Sequence, residues 1–189
     1  VRRVLERRLQ EVYRRILDRG GSMAVLMCDL DHFKRINDTY GHDVGDRALV
    51  AAARAFETAL RAKSPEGDLL ARYGGEEFTV LLEGATGRDA LAVAERLRLA
   101  VAEVELADEG TGERIPLTVS VGAASFPELH VKTATELVLL ADEALYEAKR
   151  QGRNRALLDL GQGVYRDGAG ETVEAMDRPQ PPPPPRIFS

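Results

Sequence analysis

Apolar positions in the first eighteen residues recur as Leu5, Leu9, Val12 and Ile16 among arginines and glutamates. That spacing puts one helical face against a core, and Gly20-Gly21 ends the helix. Residues 23–30 (MAVLMCDL) form a nearly continuous apolar run, the pattern of a buried strand, with the acid Asp29 near its end. A polar, glycine-containing stretch through Asn37, Gly41 and Gly45 follows. Residues 47–62 then place Leu49, Ala53, Phe56 and Leu60 on one helical face. Ser64-Pro65-Glu66-Gly67 is loop chemistry.

Two short strand-like runs, 68–72 and 77–82, flank Tyr73-Gly74-Gly75-Glu76. A glycine pair between apolar runs predicts a hairpin, because glycine accepts the positive φ of a tight turn. Residues 88–107 predict a helix with Val93, Leu97, Val101 and Val104 inward, and 117–124 (LTVSVGAA) alternate like a strand. Residues 133–150 predict a helix burying Leu137, Leu140, Ala144, Leu145 and Ala148, and 155–160 a last edge strand. After Gly161 the periodicity is lost. Pro181 to Pro185 cannot donate to a ladder and favour polyproline II, so 161–189 read as a disordered, proline-rich C-terminal tail. Residues 1–160 thus predict an α/β (α+β) domain. Its β-α-β-β-α-β order is that of a ferredoxin-like palm, a mostly antiparallel central sheet with helices packed around it.

Composition narrows the function. The 189 residues are 44% hydrophobic and 30% charged, the balance of one soluble domain. Lys and Arg number 26 against 31 Asp and Glu, a net charge of -5. General attraction to nucleic acid or anionic lipid is therefore excluded, and any phosphate compound must be held by a local site. The single cysteine, Cys28, fits a reducing, cytoplasmic compartment. No apolar run approaches the roughly 18 residues a membrane span needs, and no secretory leader is visible. The chain opens on Val1 rather than Met and reads as an excerpt.

Three clusters carry charge where a plain core would not. Asp29 closes the apolar strand inside DLDHFKRIND; a lone strand-end Asp commonly caps a turn, but this one is followed by Asp31, Phe33, Lys34 and Asn37. Glu76 and Glu77 follow the glycine pair, and adjacent strand residues point to opposite faces. If the hairpin lies beside the Asp29 strand, Asp29 and Glu76 become paired oxygen ligands, which select Mg²⁺ (or Mn²⁺) over zinc. His32, His42 and His130 lack metal-ligand spacing. In AKRQGRN, Lys149 and Arg153 share a face if the helix continues through Gly152. They read either as cations complementing a helix C-terminus or as a triphosphate clamp.

Together these residues resemble the GGDEF family of diguanylate cyclases. The signature stands as GGEEF at residues 74–78, preceded by Arg72-Tyr73. DLDHFKRINDTYGHDVGD (29–46) and ADEALYEAKRQGRN (141–154) match the family's other motifs in order. The resemblance implies a nucleotidyl-cyclase-like fold and the condensation of two GTP into cyclic di-GMP, a bacterial second messenger, with release of two pyrophosphates. It implies metal at Asp29, the Leu30 carbonyl and Glu76, with Glu77 nearest the attacking hydroxyl. Phe33, Lys34, Lys149 and Arg153 would contact phosphates, Gly74 and Gly75 would let the backbone approach the nucleotide, and Asn37 and Asp46 would read guanine. A homodimer would be needed, because each subunit holds one GTP.

Two departures stand out. The family's Arg-x-x-Asp product-inhibition site is here Pro65-Glu66-Gly67-Asp68; a proline has no donors for the bidentate contact the arginine makes, so feedback by this route is expected to be weak or absent. Members also usually open with an Asp-x-Leu-Thr-Gly-Leu turn that links to a sensor, whereas this chain starts near Val1-Arg2-Arg3. The turn that would link the domain to an upstream sensor domain is either truncated or lost, which bears on regulation and not on the chemistry. The alternative function is a non-catalytic GTP- or cyclic-di-GMP-binding regulatory module, but such members lose a signature acid, and Asp29, Glu76 and Glu77 are all present.

Overall fold

β1 (Met23–Leu30) lies between two antiparallel neighbours, β3 (Glu77–Glu83) and β4 (Val119–Phe126). This accounts for its unbroken apolar run, since successive side chains leave a strand on opposite faces and here both faces are covered. Ala24, Leu26, Cys28 and Leu30 join the core beneath α3 (His42–Arg61) and α4 (Gly87–Ala102). Met23, Val25 and Met27 join the core beneath α1 (Arg2–Arg19) and α5 (Ala134–Arg150). Burial of each of the larger ones, such as Val25, Leu26 or Leu30, contributes about 1.5–3 kcal/mol. Cys28 is fully buried, and burial, with Asp29 adding to it, pushes its thiol far above the ordinary range. It is an inert core residue.

The computed structural model describes residues 2–61 and 68–176. β2 (Leu69–Gly74) flanks β3, and β5 (Ala156–Gly161) runs parallel to β4. β6 (Val164–Asp167) and β7 (Thr172–Glu174) continue antiparallel, giving the order β2-β3-β1-β4-β5-β6-β7. Only the β4–β5 pair is parallel among these neighbours. The mostly antiparallel palm is thus the observed architecture, with α3 and α4 on one face and α1 and α5 on the other. Gly122 in β4 sets the height of α5 above the sheet. A Cβ there would lie 2.1 Å from the Leu145 nitrogen and 2.2 Å from the Ala141 oxygen, so the helix rests directly on the strand.

Several boundaries move. The polar stretch before residue 47 is helical: α2 (Phe33–Tyr40) precedes α3, which starts at His42. Ile36 is its only buried residue, so the sequence shows no apolar stripe there. α4 stops at Ala102 rather than 107; the Glu103 N–H donates to Leu99 and the Val104 N–H to Val101. Residues 155–160 do not form an edge strand, because β6 pairs outside β5. The assignment of 161–189 to a tail is likewise corrected for residues 161–176. Tyr165 is buried against a cluster containing Ala148 and Leu157, and that single anchor gave no readable periodicity. Residues 64–67, with Pro65, and the prolines 181–185 lie outside the described residues.

Candidate active site

The end of β1, the β2–β3 turn, the start of α2 and the end of α5 form one corner of the molecule. In the ladder Asp29 stands directly opposite Glu77 on β3 and Ser120 on β4. Facing residues project from the same side of a sheet, so Asp29 and Glu77 share the face covered by α5. Glu76 lies in the turn, and its carbonyl accepts the Leu30 N–H at 3.3 Å. The turn needs its glycines: φ is 150° at Gly74 and 54° at Gly75. Arg72 Nε braces it by donating to the Gly75 carbonyl at 3.0 Å.

Lys149, one residue from the end of α5, reaches into this corner. Its Nζ lies 3.1 Å from Asp29 Oδ1 and 3.7 Å from Asp31 Oδ1. Burial pushes the Asp29 carboxyl up to about 6; Lys149 opposes the rise, while Glu76 and Glu77 add to it. Asp142 on α5 is also pushed up to about 6, by burial first and then by Glu77 and Glu143. Burial and neighbouring acids thus both disfavour the ionised carboxyls here, and Lys149 acts against this at Asp29. The donors of this corner are all oxygens, which suits a hard divalent cation such as Mg²⁺ or Mn²⁺. Asp29, the Leu30 carbonyl and the acids after the glycine pair are the groups that could hold it. Among the described residues no three His, Cys, Asp or Glu side chains are already closed around a point; Asp29 leans on Lys149 instead.

Asp31 is the residue that sequence reasoning passed over. Its carboxylate is fully buried and accepts Thr118 Oγ1 at 2.8 Å, Ser120 Oγ at 2.7 Å and the Asn154 N–H at 3.0 Å. A buried carboxylate needs such partners, and these tie the end of β1 to the start of β4 and to the α5–β5 turn. The Asp29-x-Asp31 spacing was a visible signal, but the partners lie 87 to 123 residues away in sequence. Asp142 lies in the quoted stretch 141–154, but nothing in that stretch singled it out.

Phe33 and Lys34 open α2, whose N-cap, His32, is left-handed (φ 55°) and makes no side-chain cap. Lys34 is exposed. Asn37 packs where α3 comes closest to α2: a Cβ on Gly45 would fall 1.7 Å from Asn37 Oδ1 and 3.4 Å from Phe33 Cζ. The next residue, Asp46, is exposed. The expected shared helical face of Lys149 and Arg153 does not form, because α5 ends at Arg150. Gly152, Arg153 and Asn154 follow with φ of 118°, 64° and 44°, so Arg153 sits on a left-handed turn while Lys149 points at Asp29.

A palm with a double-glycine hairpin beside a strand-end acid defines a nucleotidyl-cyclase type of domain. The chain belongs to the GGDEF family: the diguanylate cyclase GGDEF domain matches residues 1–155. Diguanylate cyclase A of Treponema denticola is 42% identical over 137 residues, 72% of this chain and 35% of that protein. Response regulator PleD of Caulobacter vibrioides is 37% identical over 153 residues, 81% of this chain and 33% of that protein. The chain thus spans about a third of the length of these curated relatives. The GGDEF domain of DgcB from Caulobacter crescentus, solved in complex with c-di-GMP, superposes with a TM-score of 0.75 at 30% identity, covering 83% of this chain and 89% of that one. The active GGEEF domain of a diguanylate cyclase from Vibrio cholerae gives 0.71 at 29% identity, covering 82% and 92%. No helix among the described residues is long and apolar enough to cross a membrane.

Proposed function

We propose that this domain condenses two GTP into cyclic di-GMP, each 3′-hydroxyl attacking the α-phosphate of the other nucleotide and two pyrophosphates leaving. The observation that carries the reading is the facing pair of acids, Asp29 and Glu77, in a corner where burial and neighbouring acids push the Asp29 carboxyl up. Asp29, the Leu30 carbonyl and Glu76 would hold a divalent ion, which would supply neutralisation of charge on the α-phosphate and pyrophosphate and a lowered pKa at the attacking hydroxyl. Glu77 stands nearest that hydroxyl and accepts its proton.

The rest of the site binds and orients. The N–H groups of the first turn of α2, at Phe33 and Lys34, receive phosphate oxygens, as an uncapped helix N-terminus does. Lys149 and Arg153 add cationic contacts to the phosphates. Gly74 and Gly75 keep the hairpin backbone free of Cβ atoms where the nucleotide approaches. Asn37 and Asp46 read the base: the Asp46 carboxylate accepts guanine N1–H and N2–H, whereas adenine offers a bare N1 acceptor there. One GTP per subunit makes a homodimer the catalytic unit, with a sensor domain upstream controlling it.

The test is incubation of the protein with GTP and Mg²⁺ and separation of the products by mass. Cyclic di-GMP and pyrophosphate are expected from GTP, and no cyclic product from ATP. Dimeric protein that binds GTP and leaves it unchanged would establish the non-catalytic nucleotide-binding module instead.

A further inference from the structure

β6 and β7 lie beyond residues 1–155, the part of the chain that matches the family, yet a line of contacts runs from their turn into the candidate site. Gly168 in that turn packs on α4. A Cβ there would lie 2.1 Å from both Cδ and Oε1 of Glu95, so glycine is required for space. The carboxylate it faces is not free to swing away. Arg98 grips it with two donors, Nε to Oε1 at 3.0 Å and Nη2 to Oε2 at 2.8 Å. Arg98 Nη1 donates to Asn154 Oδ1 at 3.1 Å. Asn154 in turn donates its N–H to the buried Asp31 carboxylate at 3.0 Å, and Asp31 stands 3.7 Å from Lys149 Nζ.

Asn154 has a left-handed backbone, φ 44°, as does Arg153 before it. Asn adopts that conformation more readily than Arg does, so the strain in this pair falls on Arg153. Asp31 holds Asn154 by its backbone N–H, and Arg98 holds it by its side chain. Only a forked guanidinium serves here, because it can hold a carboxylate with two donors and keep a third for the amide. We infer that Arg98 is a positioning residue, joining the C-terminal hairpin to the turn that carries Arg153 and so aligning the cations that meet the nucleotide's phosphates. This role rests on the cyclase reading of Arg153 and Lys149.

The experiment uses the full chain and its Arg98→Ala, Arg98→Lys and Gly168→Val variants. Hydrogen exchange over residues 151–156 and equilibrium binding of GTP and GMP, both with Mg²⁺, are measured on each. Arg98→Ala is expected to speed exchange of the Asn154 amide and to weaken GTP about five- to tenfold. GMP, which lacks the outer phosphates, should lose less than about twofold. Arg98→Lys should recover thermal stability without recovering GTP affinity, and Gly168→Val should add nothing to Arg98→Ala if it acts through the same contact. Unaltered Asn154 exchange, equal loss of GTP and GMP, or full rescue by lysine would overturn the role alone. A wild-type chain that binds neither nucleotide would overturn the cyclase reading and this role together.

Discussion

At the Met23 end of β1 the facing residue on β3 is Glu83, and two guanidiniums meet it. Arg8 Nη2 lies 2.7 Å from Oε2, and Arg15 Nη1 bonds Oε1. Nearby, Thr86 and Asp89 form a capping box at the start of α4, and Glu128 accepts the Gly87 N–H at 2.8 Å. At the other end of the same two strands Asp29 faces Glu77, with Glu76 and Asp142 close, and Lys149 pairs with Asp29. The two ends use the same residue types in the same ladder, so burial and strand pairing are common to both. They differ in what the acids meet. Arg8 and Arg15 fasten α1 to the sheet at Glu83, and Glu128 holds the start of α4 through a backbone N–H, whereas at the other end acid faces acid. Acids set close together in a partly buried corner cost stability, a pattern that commonly marks groups kept for binding or chemistry.

The largest expected effect follows from removing either of the facing acids. Glu77→Ala or Asp29→Ala should lower cyclic di-GMP formation by about a thousandfold or more, the scale lost when a group stabilising transition-state charge is removed. Product mass measured against time checks this. Retention of a tenth of the wild-type rate would place the chemistry elsewhere. Glu83→Ala, at the Met23 end, should leave the rate per folded dimer unchanged.

The next effect is on stability against pH. Asp29 and Asp142 each ionise near about 6 in the folded chain against an ordinary value of 3.8. The folded state keeps protons that the unfolded chain has already released. Their stabilising contribution is therefore fully present below about pH 4 and is lost as pH rises through about 6. In chelator-containing buffer Tm should fall between pH 5 and pH 7, and the fall should be shallower in Asp29→Asn. Excess Mg²⁺ should recover stability at pH 7 in the wild type and less so in Asp29→Asn. Parallel Tm profiles for the two proteins would remove Asp29 as the source.

How much of this was legible depended on whether a residue's partner was near in sequence or its pattern was long. The stripe of α1 and the double run of β1 buried Leu5, Leu9, Val12 and Ile16 and the apolar residues of MAVLMCDL as periodicity dictates. The glycine pair likewise marked the hairpin, and with it the position of Glu76 and Glu77. Periodicity could not show α2, which buries only Ile36, or β6, which is four residues long and buries only Tyr165. Nor could it show that Lys149 meets Asp29, 120 residues away, because that contact depends on how far Gly122 lets α5 sink onto β4. The acids of the site could be read as candidates from residue type, whereas Asp31 and Asp142 required the packing of α5 to be known.

A smaller effect belongs to the Met23 end. Glu83→Gln removes the charge shared by Arg8 and Arg15, whose side chains are 35% and 43% exposed against 23% for Glu83. Exposure and salt screening hold the loss to about 1 kcal/mol, or about 3 °C in Tm for a chain of this size. The loss should shrink as salt is raised. A change of more than about 10 °C would mean that Glu83 is tied to the core by something other than these two pairs.

The smallest effect should come from the capping box. Thr86 Oγ1 accepts the Asp89 N–H at 3.2 Å and the Asp89 carboxylate accepts the Thr86 N–H at 2.9 Å, which lowers the Asp89 pKa. Thr86→Ala removes one of these bonds in an exposed position, and a lost N-cap costs about 0.5–2 kcal/mol. The lower half of that range is expected here, because the Asp89 side chain keeps its own bond to the backbone and water can reach the freed N–H. Thr86→Ser retains the hydroxyl and should keep wild-type stability. Chemical denaturation of the three proteins measures the difference. If Thr86→Ala also lowered the rate of cyclic di-GMP formation per folded dimer, the start of α4 would be coupled to the acid end, and the two ends of the sheet would not be separable.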